Sequence, residues 1–283
     1  MTIGVVSTGA MGSALAGVLR DAGTPVVATV ADRSERTRQL AADAHVELLP
    51  DLDSVVAAAD VVLSIGPPAA AGTIAQTFVA AAKRTGSTPL LVDLNAISPT
   101  TARSLTTGLE LVDGSISGPP PGLLPGVVTR IYLSGARANE VAALLRHPTL
   151  DARVVGLEVG TASAVKMCTA SIYKGMTALL QQALLTARAN GVVAEVLDDL
   201  EESLPELVDG VERTLAIAAS KAHRYVDEML EIAATQAAAG LAPALFEAMA
   251  DVYAATASTP LGAATPEDAA RLTSLDDVLA ALG

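Results

Sequence analysis

The sequence predicts an N-terminal α/β domain with a doubly wound parallel sheet, followed by an all-α C-terminal domain. Up to about residue 158, short apolar runs rich in β-branched residues alternate with Ala-rich segments of helical length. Beyond that point only long Ala- and Leu-rich segments continue. The chain has 283 residues, enough for both domains to bury a core. We therefore predict one domain over residues 1–158 and a second over 159–283.

The first domain begins with a buried strand, Thr2–Ser7, and a helix, Met11–Ala22. The same alternation then repeats. Further strands are predicted at Val26–Ala31, Val46–Leu49, Asp60–Ile65, Pro89–Asp93, Glu110–Ile116 and Thr129–Ser134. The other predicted helices are Ser34–Ala44 with Ser34 as its N-cap, Leu52–Ala58, Ala70–Arg84 and Asn139–Arg146.

The second domain is predicted to contain one long helix and several shorter ones. No proline interrupts Thr161–Asn190, and Gly191 is a typical residue for the end of a helix. Further helices are predicted over Ala194–Leu204, Glu206–Ala239 (which is long enough for two) and Pro243–Ala255.

Composition excludes several classes of protein. Aromatic residues make up 2% of the chain and the formal net charge is −13, so nucleic-acid binding has neither stacking platforms nor a basic face. The single cysteine excludes an internal disulfide framework, and the three histidines lack metal-ligand spacing. We expect no metal, no membrane span and no signal peptide, and hence a cytoplasmic protein.

A glycine-rich turn connects the first strand to the first helix. In Ser7-Thr8-Gly9-Ala10-Met11-Gly12, Gly9 and Gly12 match the second and third glycines of the G-x-G-x-x-G fingerprint, whereas Ser7 replaces the first. Such a turn brings backbone N–H groups of a helix N-terminus close to a diphosphate. We therefore predict a Rossmann domain whose residues 7–12 bind a dinucleotide.

The residues after the second strand give conflicting signals about the type of dinucleotide. Asp32 favours NAD, because a carboxylate there accepts hydrogen bonds from the free ribose hydroxyls. Arg33 and Ser34 favour NADP, because together they can bind a 2′-phosphate. We predict NADP and keep NAD as the alternative.

Four blocks of sequence carry a wider resemblance. The first block, Gly9–Gly12, is similar to the ending G-x-M-G, and the second, Val92–Pro99, is similar to a loop that follows a strand. The third, Asp113–Gly118, is similar to D-x-x-V-S-G-G, and the fourth, Gly160–Lys166, is similar to G-x-G-x-x-x-K. In this order and spacing the chain resembles the β-hydroxyacid dehydrogenase superfamily, which includes 3-hydroxyisobutyrate and 6-phosphogluconate dehydrogenases and the related imine reductases. The Ala- and Met-rich C-terminal part resembles a phosphogluconate-dehydrogenase-like branch.

The resemblance implies an NAD(P)-dependent oxidoreductase that transfers hydride between the cofactor and a small β-hydroxy acid or its oxo form. Lys166 would be the general acid/base, which requires burial or a neighbouring cation to lower its pKa. Ser117 and Gly118 would bind the substrate. Gly66, Pro67 and Asn95 follow predicted strands and are expected at the cofactor, and the helical domains would pair as a homodimer.

Helical spacing selects further candidates near Lys166. At about 100° per residue, Tyr173 lies ~20° and Lys174 ~80° from Lys166 around the helix, so we count both as substrate-binding residues, with interdomain packing as the alternative for Tyr173 and an exposed charge for Lys174. Cys168 points the other way and is expected to be a core thiol.

One later helix carries His223, Arg224 and Glu228. The i, i+4 spacing of Arg224 and Glu228 predicts a surface ion pair. Completion of a partner subunit's pocket is the alternative for this face of the helix.

Departures from the family pattern keep other functions open. Thr169-Ala170 stands where the family often has an asparagine, and Pro119 replaces the second glycine of the substrate loop. An imine or pyrroline-carboxylate reductase is therefore the first alternative, and a non-catalytic dinucleotide sensor the second. Lys166 favours the dehydrogenase. The sequence contains no Tyr-x-x-x-Lys pair, which disfavours a short-chain dehydrogenase.

Overall fold

The computed structural model describes residues 1–105 and 110–283. The chain forms two compact units, Met1–Met167 and Cys168–Gly283, and the boundary between them falls inside a long helix. The boundary predicted from the sequence, after residue 158, lies just before this helix.

An eight-stranded sheet organises the first unit, with strand order β3-β2-β1-β4-β5-β6-β7-β8. Strands β1 to β6 run parallel, β7 is antiparallel to β6, and β8 is parallel to β7. The strands are β1 Ile3–Val6, β2 Val26–Ala28, β3 Glu47–Leu48, β4 Val61–Ser64, β5 Leu90–Asp93, β6 Leu111–Ser117, β7 Thr129–Ser134 and β8 Leu150–Gly156.

Helices cover both faces of this sheet. Along β4, Val61 and Leu63 belong to one apolar cluster and Val62 to another, because successive side chains of a strand point to opposite faces. The helices are α1 Ala10–Asp21, α2 Glu35–Asp43, α3 Leu52–Ala58, α4 Ala71–Thr85, α5 Pro99–Ser104 and α6 Ala138–Leu144, with a short 3-10 turn at Pro68–Ala70 before α4.

This architecture confirms the predicted doubly wound Rossmann domain, with local differences. Helix α5, Pro99–Ser104, was not predicted. The sheet contains one antiparallel pair, β6 with β7, and β2 ends at Ala28 rather than Ala31. Strand β8 was not predicted. It lies at the edge of the sheet and carries Asp151 and Arg153, so it lacks the continuous apolar run of a central strand.

The second unit is built from helices. The long helix α7, Thr161–Asn190, begins in the first unit and has the predicted bounds. The others are α8 Val193–Ser203, α9 Pro205–Val208, α10 Val211–Ala219, α11 Ala222–Ala238, α12 Ala244–Ala257, α13 Pro266–Ala269 and α14 Leu275–Leu282. Leu184, Leu215 and Leu279 belong to its apolar core.

The predicted segment Glu206–Ala239 corresponds to three helices, α9 to α11. Gly210 has φ +63° and separates the first two, and a break at Ser220 and Lys221 separates the last two. Helices α13 and α14 were not predicted. None of the helices in the two described ranges combines the length and the apolarity that crossing a bilayer requires.

Candidate functional site

The glycine-rich turn after β1 has the shape that the fingerprint predicts, even though its first glycine is a serine. Ser7 has φ +73°, the left-handed conformation that usually requires glycine. At Gly12 an added Cβ would lie 2.3 Å from the Ser7 carbonyl oxygen, so only glycine lets α1 pack this closely against the turn. An added Cβ at Gly9 would meet nothing within 4 Å, so the backbone there borders open space.

The same turn offers hydrogen-bond donors that fit a dinucleotide's diphosphate. Gly9 is the N-cap of α1 and no side chain caps the helix, so the first N–H groups of α1 have no intrahelical acceptor. Thr8 is fully buried, and its hydroxyl has no hydrogen-bond partner among the described residues. The Ser13 hydroxyl donates to the Thr8 carbonyl at 2.8 Å and holds the turn against the helix. An anion at this helix N-terminus would satisfy these donors.

The loops after β4 and β5 are tied together by one buried amide. The Gly66 N–H donates to Asn95 Oδ1. Asn95 Nδ2 donates to Ser64 Oγ at 3.0 Å and to Asp93 Oδ2 at 2.7 Å. Asn95 is 1% exposed. The Asn95 side chain thus joins the loops after β4 and β5 by hydrogen bonds. Its contact with the cofactor stays a prediction.

Asp93, which accepts a hydrogen bond from Asn95, is an ionisable group at this position. Burial raises the pKa of Asp93 to about 7, and the nearby Asp113 carboxylate adds to the rise, while hydrogen bonds donated by Asn95 and Ser64 oppose it. Asp93 was not among the predicted site residues. A charged side chain that ends an otherwise apolar strand, Leu-Leu-Val-Asp, is the signal that could have found it.

At the predicted adenosine end, Asp32, Arg33 and Ser34 lie on the surface between β2 and α2. Asp32 has φ +56°, so the chain turns sharply there. Ser34 is the N-cap of α2, as predicted, and its hydroxyl accepts from the Thr37 N–H. Arg38, which was not among the predicted residues, donates from Nε to the Arg33 carbonyl at 3.2 Å.

The predicted acid/base and part of the predicted substrate loop meet at the end of β6. Lys166, half-buried on α7, donates from Nζ to the Ile116 carbonyl oxygen at 2.8 Å. That carbonyl belongs to the peptide bond leading into Ser117. Gly118 follows with φ +120°, which favours glycine, and the Pro119 carbonyl accepts from the Thr129 hydroxyl at 2.7 Å. The amine of Lys166 therefore lies at the start of the Ser117–Gly118 loop.

These positions follow one edge of the sheet. The strands β1, β4, β5 and β6 are neighbours in the sheet. Residues 7–12 follow β1, Gly66 and Pro67 follow β4, and Asn95 follows β5. Ser117 is the last residue of β6, and Gly118 comes directly after it. In open α/β sheets, ligands bind at this edge, where the strand order reverses, here between β1 and β4. The first unit therefore brings the predicted cofactor residues and Lys166 to the edge where a dinucleotide binds.

The remaining candidates lie in the second unit. Tyr173 is 72% exposed. The Lys174 amine forms an ion pair with Glu228 and lies 4.0 Å from the centroid of the Tyr225 ring, while the Tyr253 hydroxyl donates to the Lys174 carbonyl at 2.7 Å. Substrate binding by Tyr173 and Lys174 stays a prediction.

Two expectations about this unit were wrong. Cys168 is exposed rather than a core thiol, since the angular position on a helix does not say which side is packed. Glu228 is buried and pairs with Lys174 rather than forming a surface pair with Arg224. His223 and Arg224 are exposed on α11, and their contribution to a partner's pocket stays a prediction.

Comparison with known proteins assigns the family. Residues 2–152 match the family model described as the NAD binding domain of 6-phosphogluconate dehydrogenase. The chain belongs to the β-hydroxyacid dehydrogenase superfamily. Its first unit is accordingly a nicotinamide-dinucleotide-binding domain of that superfamily. Residues 187–256 match a second model, described as a domain of unknown function, DUF1932.

Solved structures share the fold of this chain. A conserved hypothetical protein from Sinorhizobium meliloti is 28% identical with a TM-score of 0.65, over 99% of this chain and 96% of that one. The 3-hydroxyisobutyrate dehydrogenase from Mycobacterium tuberculosis, solved with L-serine, shares the fold at 20% identity and a TM-score of 0.67, over 99% and 98% of the two chains. An imine reductase from Myxococcus stipitatus, solved with NADP+, shares it at 18% identity and a TM-score of 0.57, over 99% and 100%.

Proposed function

We propose that this protein is an NADP-dependent oxidoreductase that interconverts a small β-hydroxy acid and its oxo form. The observation that carries the proposal is the hydrogen bond from Lys166 Nζ to the Ile116 carbonyl, which holds an amine at the start of the Ser117–Gly118 loop. When bound, the nicotinamide cofactor supplies or accepts the hydride. The residues of this chain would bind the substrate and move its hydroxyl proton.

In this proposal Lys166 takes the proton from the substrate hydroxyl in oxidation and returns it to the oxygen in reduction. A general base must lie within hydrogen-bond reach of the proton that it moves. The Ile116 carbonyl holds the amine in place until the substrate hydroxyl replaces it as the partner. The Ser117 hydroxyl and the Gly118 N–H would bind the substrate's carboxylate, and the positive φ of Gly118 shapes the loop for this contact.

Replacement of Lys166 tests the role of the amine. We expect Lys166→Ala to lower kcat by roughly 10²- to 10⁴-fold, the usual contribution of a general acid/base, with little change in NADPH affinity. Lys83→Ala removes an exposed amine from α4 and is the matched control. Turnover would be followed by absorbance of the reduced cofactor and affinity by its fluorescence. Full activity in Lys166→Ala would remove the proposed base.

A preference for NADP is supported by the charges at α2. Arg33, Arg36 and Arg38 are exposed within or beside its first turns, and a 2′-phosphate is a doubly charged acceptor for such side chains. Arg33→Ala should weaken NADPH binding by roughly 10-fold or more, as expected for a lost charge-assisted hydrogen bond, and leave NADH binding unchanged. Equal losses for the two cofactors, measured by fluorescence titration, would contradict the preference.

A reductase for imines or pyrroline carboxylates is the second candidate, because Pro119 and Thr169-Ala170 replace family residues of the substrate site. A screen of β-hydroxy acids against cyclic imines, with both cofactors, separates the two reactions. Turnover of hydroxy acids supports the first proposal, and turnover of imines alone supports the second. Saturable cofactor binding without turnover of either class would favour a dinucleotide sensor.

We also propose a cytoplasmic homodimer formed through the helical unit. Ile172, Met176 and Leu179 are exposed at i, i+4, i+7 spacing on α7 and form one apolar stripe. Light scattering should give the mass of a dimer, and Met176→Asp should shift it toward the monomer. A wild-type monomer at micromolar concentration would contradict this arrangement.

A further inference from the structure

A buried carboxylate on β6 holds the beginning of α7. Asp113 is fully buried. Its Oδ1 accepts from the Ser163 hydroxyl at 2.6 Å, and its Oδ2 accepts from the Ser163 N–H at 3.1 Å and the Gly160 N–H at 2.9 Å. Ser134 on β7 donates a fourth hydrogen bond, from its hydroxyl to Oδ2, at 2.8 Å. Asp113 thus satisfies backbone donors that the first turn of a helix leaves without intrahelical partners.

Two serines complete the attachment of this turn to the sheet. The Ser115 hydroxyl donates to the Ala162 carbonyl at 2.9 Å, and the Ala162 N–H donates to Ser134 Oγ at 3.0 Å. Gly160 has φ +99°, which favours glycine, and an added Cβ there would lie 3.0 Å from the Pro99 carbonyl oxygen. The backbone that leads into α7 is therefore also restricted at Gly160. Hydrogen bonds to both N–H and C=O groups therefore hold the first turn of α7 against β6 and β7.

The same strand and the same helix meet again at the predicted acid/base. Lys166 lies three residues after Ser163, less than one helical turn further along α7, and Ile116 lies three residues after Asp113 on β6. The bond from Lys166 Nζ to the Ile116 carbonyl is therefore the next contact in the series that Asp113 begins. Rotation or translation of the first turn would displace the amine by a similar amount.

We infer that Asp113 is a positioning residue for Lys166: it fixes the rotation and height of α7 on β6 and so sets where the amine lies. This inference rests on the proposed acid/base role of Lys166. All four hydrogen-bond donors to Asp113 are neutral groups, and a buried carboxylate satisfied in this way near a helix N-terminus gives short, directional bonds. A misplacement of about 1 Å at a reacting group can cost on the order of 10²-fold in rate.

The test compares Asp113→Asn and Ser163→Ala with Ser220→Ala. Asparagine keeps the size of the side chain, but its amide nitrogen is a donor and takes the place of an oxygen that accepts hydrogen bonds. Ser163→Ala removes the hydrogen bond from the Ser163 hydroxyl to Oδ1 and keeps both backbone hydrogen bonds. Ser220 is also buried, and its hydroxyl donates to the Ile217 carbonyl in the second unit, which makes it a matched control. We expect kcat to fall by roughly 10- to 100-fold in Asp113→Asn and less in Ser163→Ala, with NADPH affinity unchanged.

A second measurement does not depend on turnover. After reductive methylation with ¹³C-formaldehyde, the Lys166 dimethylamine, assigned with Lys166→Arg, gives an NMR signal whose shift and titration midpoint report its surroundings. We expect both to change in Asp113→Asn and Ser163→Ala and to match wild type in Ser220→Ala. An unchanged Lys166 signal in folded Asp113→Asn would overturn the inference even if Lys166→Ala is inactive. If Asp113→Asn does not fold, an unchanged signal in Ser163→Ala overturns it. An active Lys166→Ala refutes the base and leaves the NMR result to decide the positioning.

Discussion

The two units hold buried carboxylates in different ways. In the first unit, Asp93 and Asp113 end or interrupt apolar strands and accept hydrogen bonds from neutral amide and hydroxyl groups of a loop, of strand β7 and of the start of α7. In the second unit, Glu228 is paired with the Lys174 ammonium group, which lies against the Tyr225 ring. The neutral donors orient loops and a helix end at the sheet edge, whereas the ion pair joins two helices, α7 and α11. Buried carboxyl groups are thus satisfied by neutral donors in one unit and by a cation in the other.

The largest effect is expected from breaking the ion pair. Glu228→Ala removes the carboxylate that pairs with the buried Lys174 ammonium group, which should cost about 3–5 kcal/mol in the free energy of unfolding. The pair is well shielded, with 15% of Lys174 and 6% of the Glu228 side chain exposed. The measurement is urea denaturation. The double variant Lys174→Met/Glu228→Leu should recover most of the loss, and an equal loss in the double variant would show that packing rather than charge carries the effect.

A smaller effect, dependent on pH, is expected at Asp93. The folded state keeps the Asp93 proton up to about pH 7, whereas the unfolded chain releases it near the usual value of 3.8, so between these values the folded state binds more protons. Stability from this group therefore decreases as pH rises from about 4 to about 7 and is constant above, by on the order of a few kcal/mol. Urea titrations at pH 5 to 8 should show the stability of wild type falling relative to Asp93→Asn. A constant difference between the two proteins would contradict the shifted pKa.

The smallest effect is expected at the glycine-rich turn. Ser7 occupies a left-handed conformation that costs a non-glycine residue about 1 kcal/mol or more, so Ser7→Gly should stabilise the fold by roughly that amount, less the greater chain entropy of glycine. Cofactor affinity should change little, because the backbone already has the required shape. A destabilised Ser7→Gly variant would show that the serine hydroxyl contributes more than the strain costs.

The sequence was sufficient for the parts of the fold in which local pattern and tertiary position agree. Central parallel strands are buried on both faces, so β1, β4 and β5 were visible as apolar runs, and the turn at residues 7–12 was visible from Gly9 and Gly12. Edge strand β8 was missed because charged residues interrupt it. The family resemblance of Gly160–Lys166 selected Lys166, and the helix predicted there is present.

The missed features depend on partners distant in sequence. Asp113 was part of a quoted motif, yet its bonds to Gly160 and Ser163 join residues that are 47 and 50 positions apart. Lys174 and Glu228 are 54 positions apart, and the nearer Arg224 suggested a simpler pair. The buried face of α7 decides the exposure of Cys168, and periodicity alone gives faces without saying which one is covered.

The side chain of Asn95 joins two loops through a rigid planar group. Its oxygen holds the Gly66 N–H and its nitrogen holds the Asp93 carboxylate, so the amide cannot tilt away from one without straining its bond to the other. The amide thereby couples the loop after β4 to the loop after β5, so that neither loop can shift without the other.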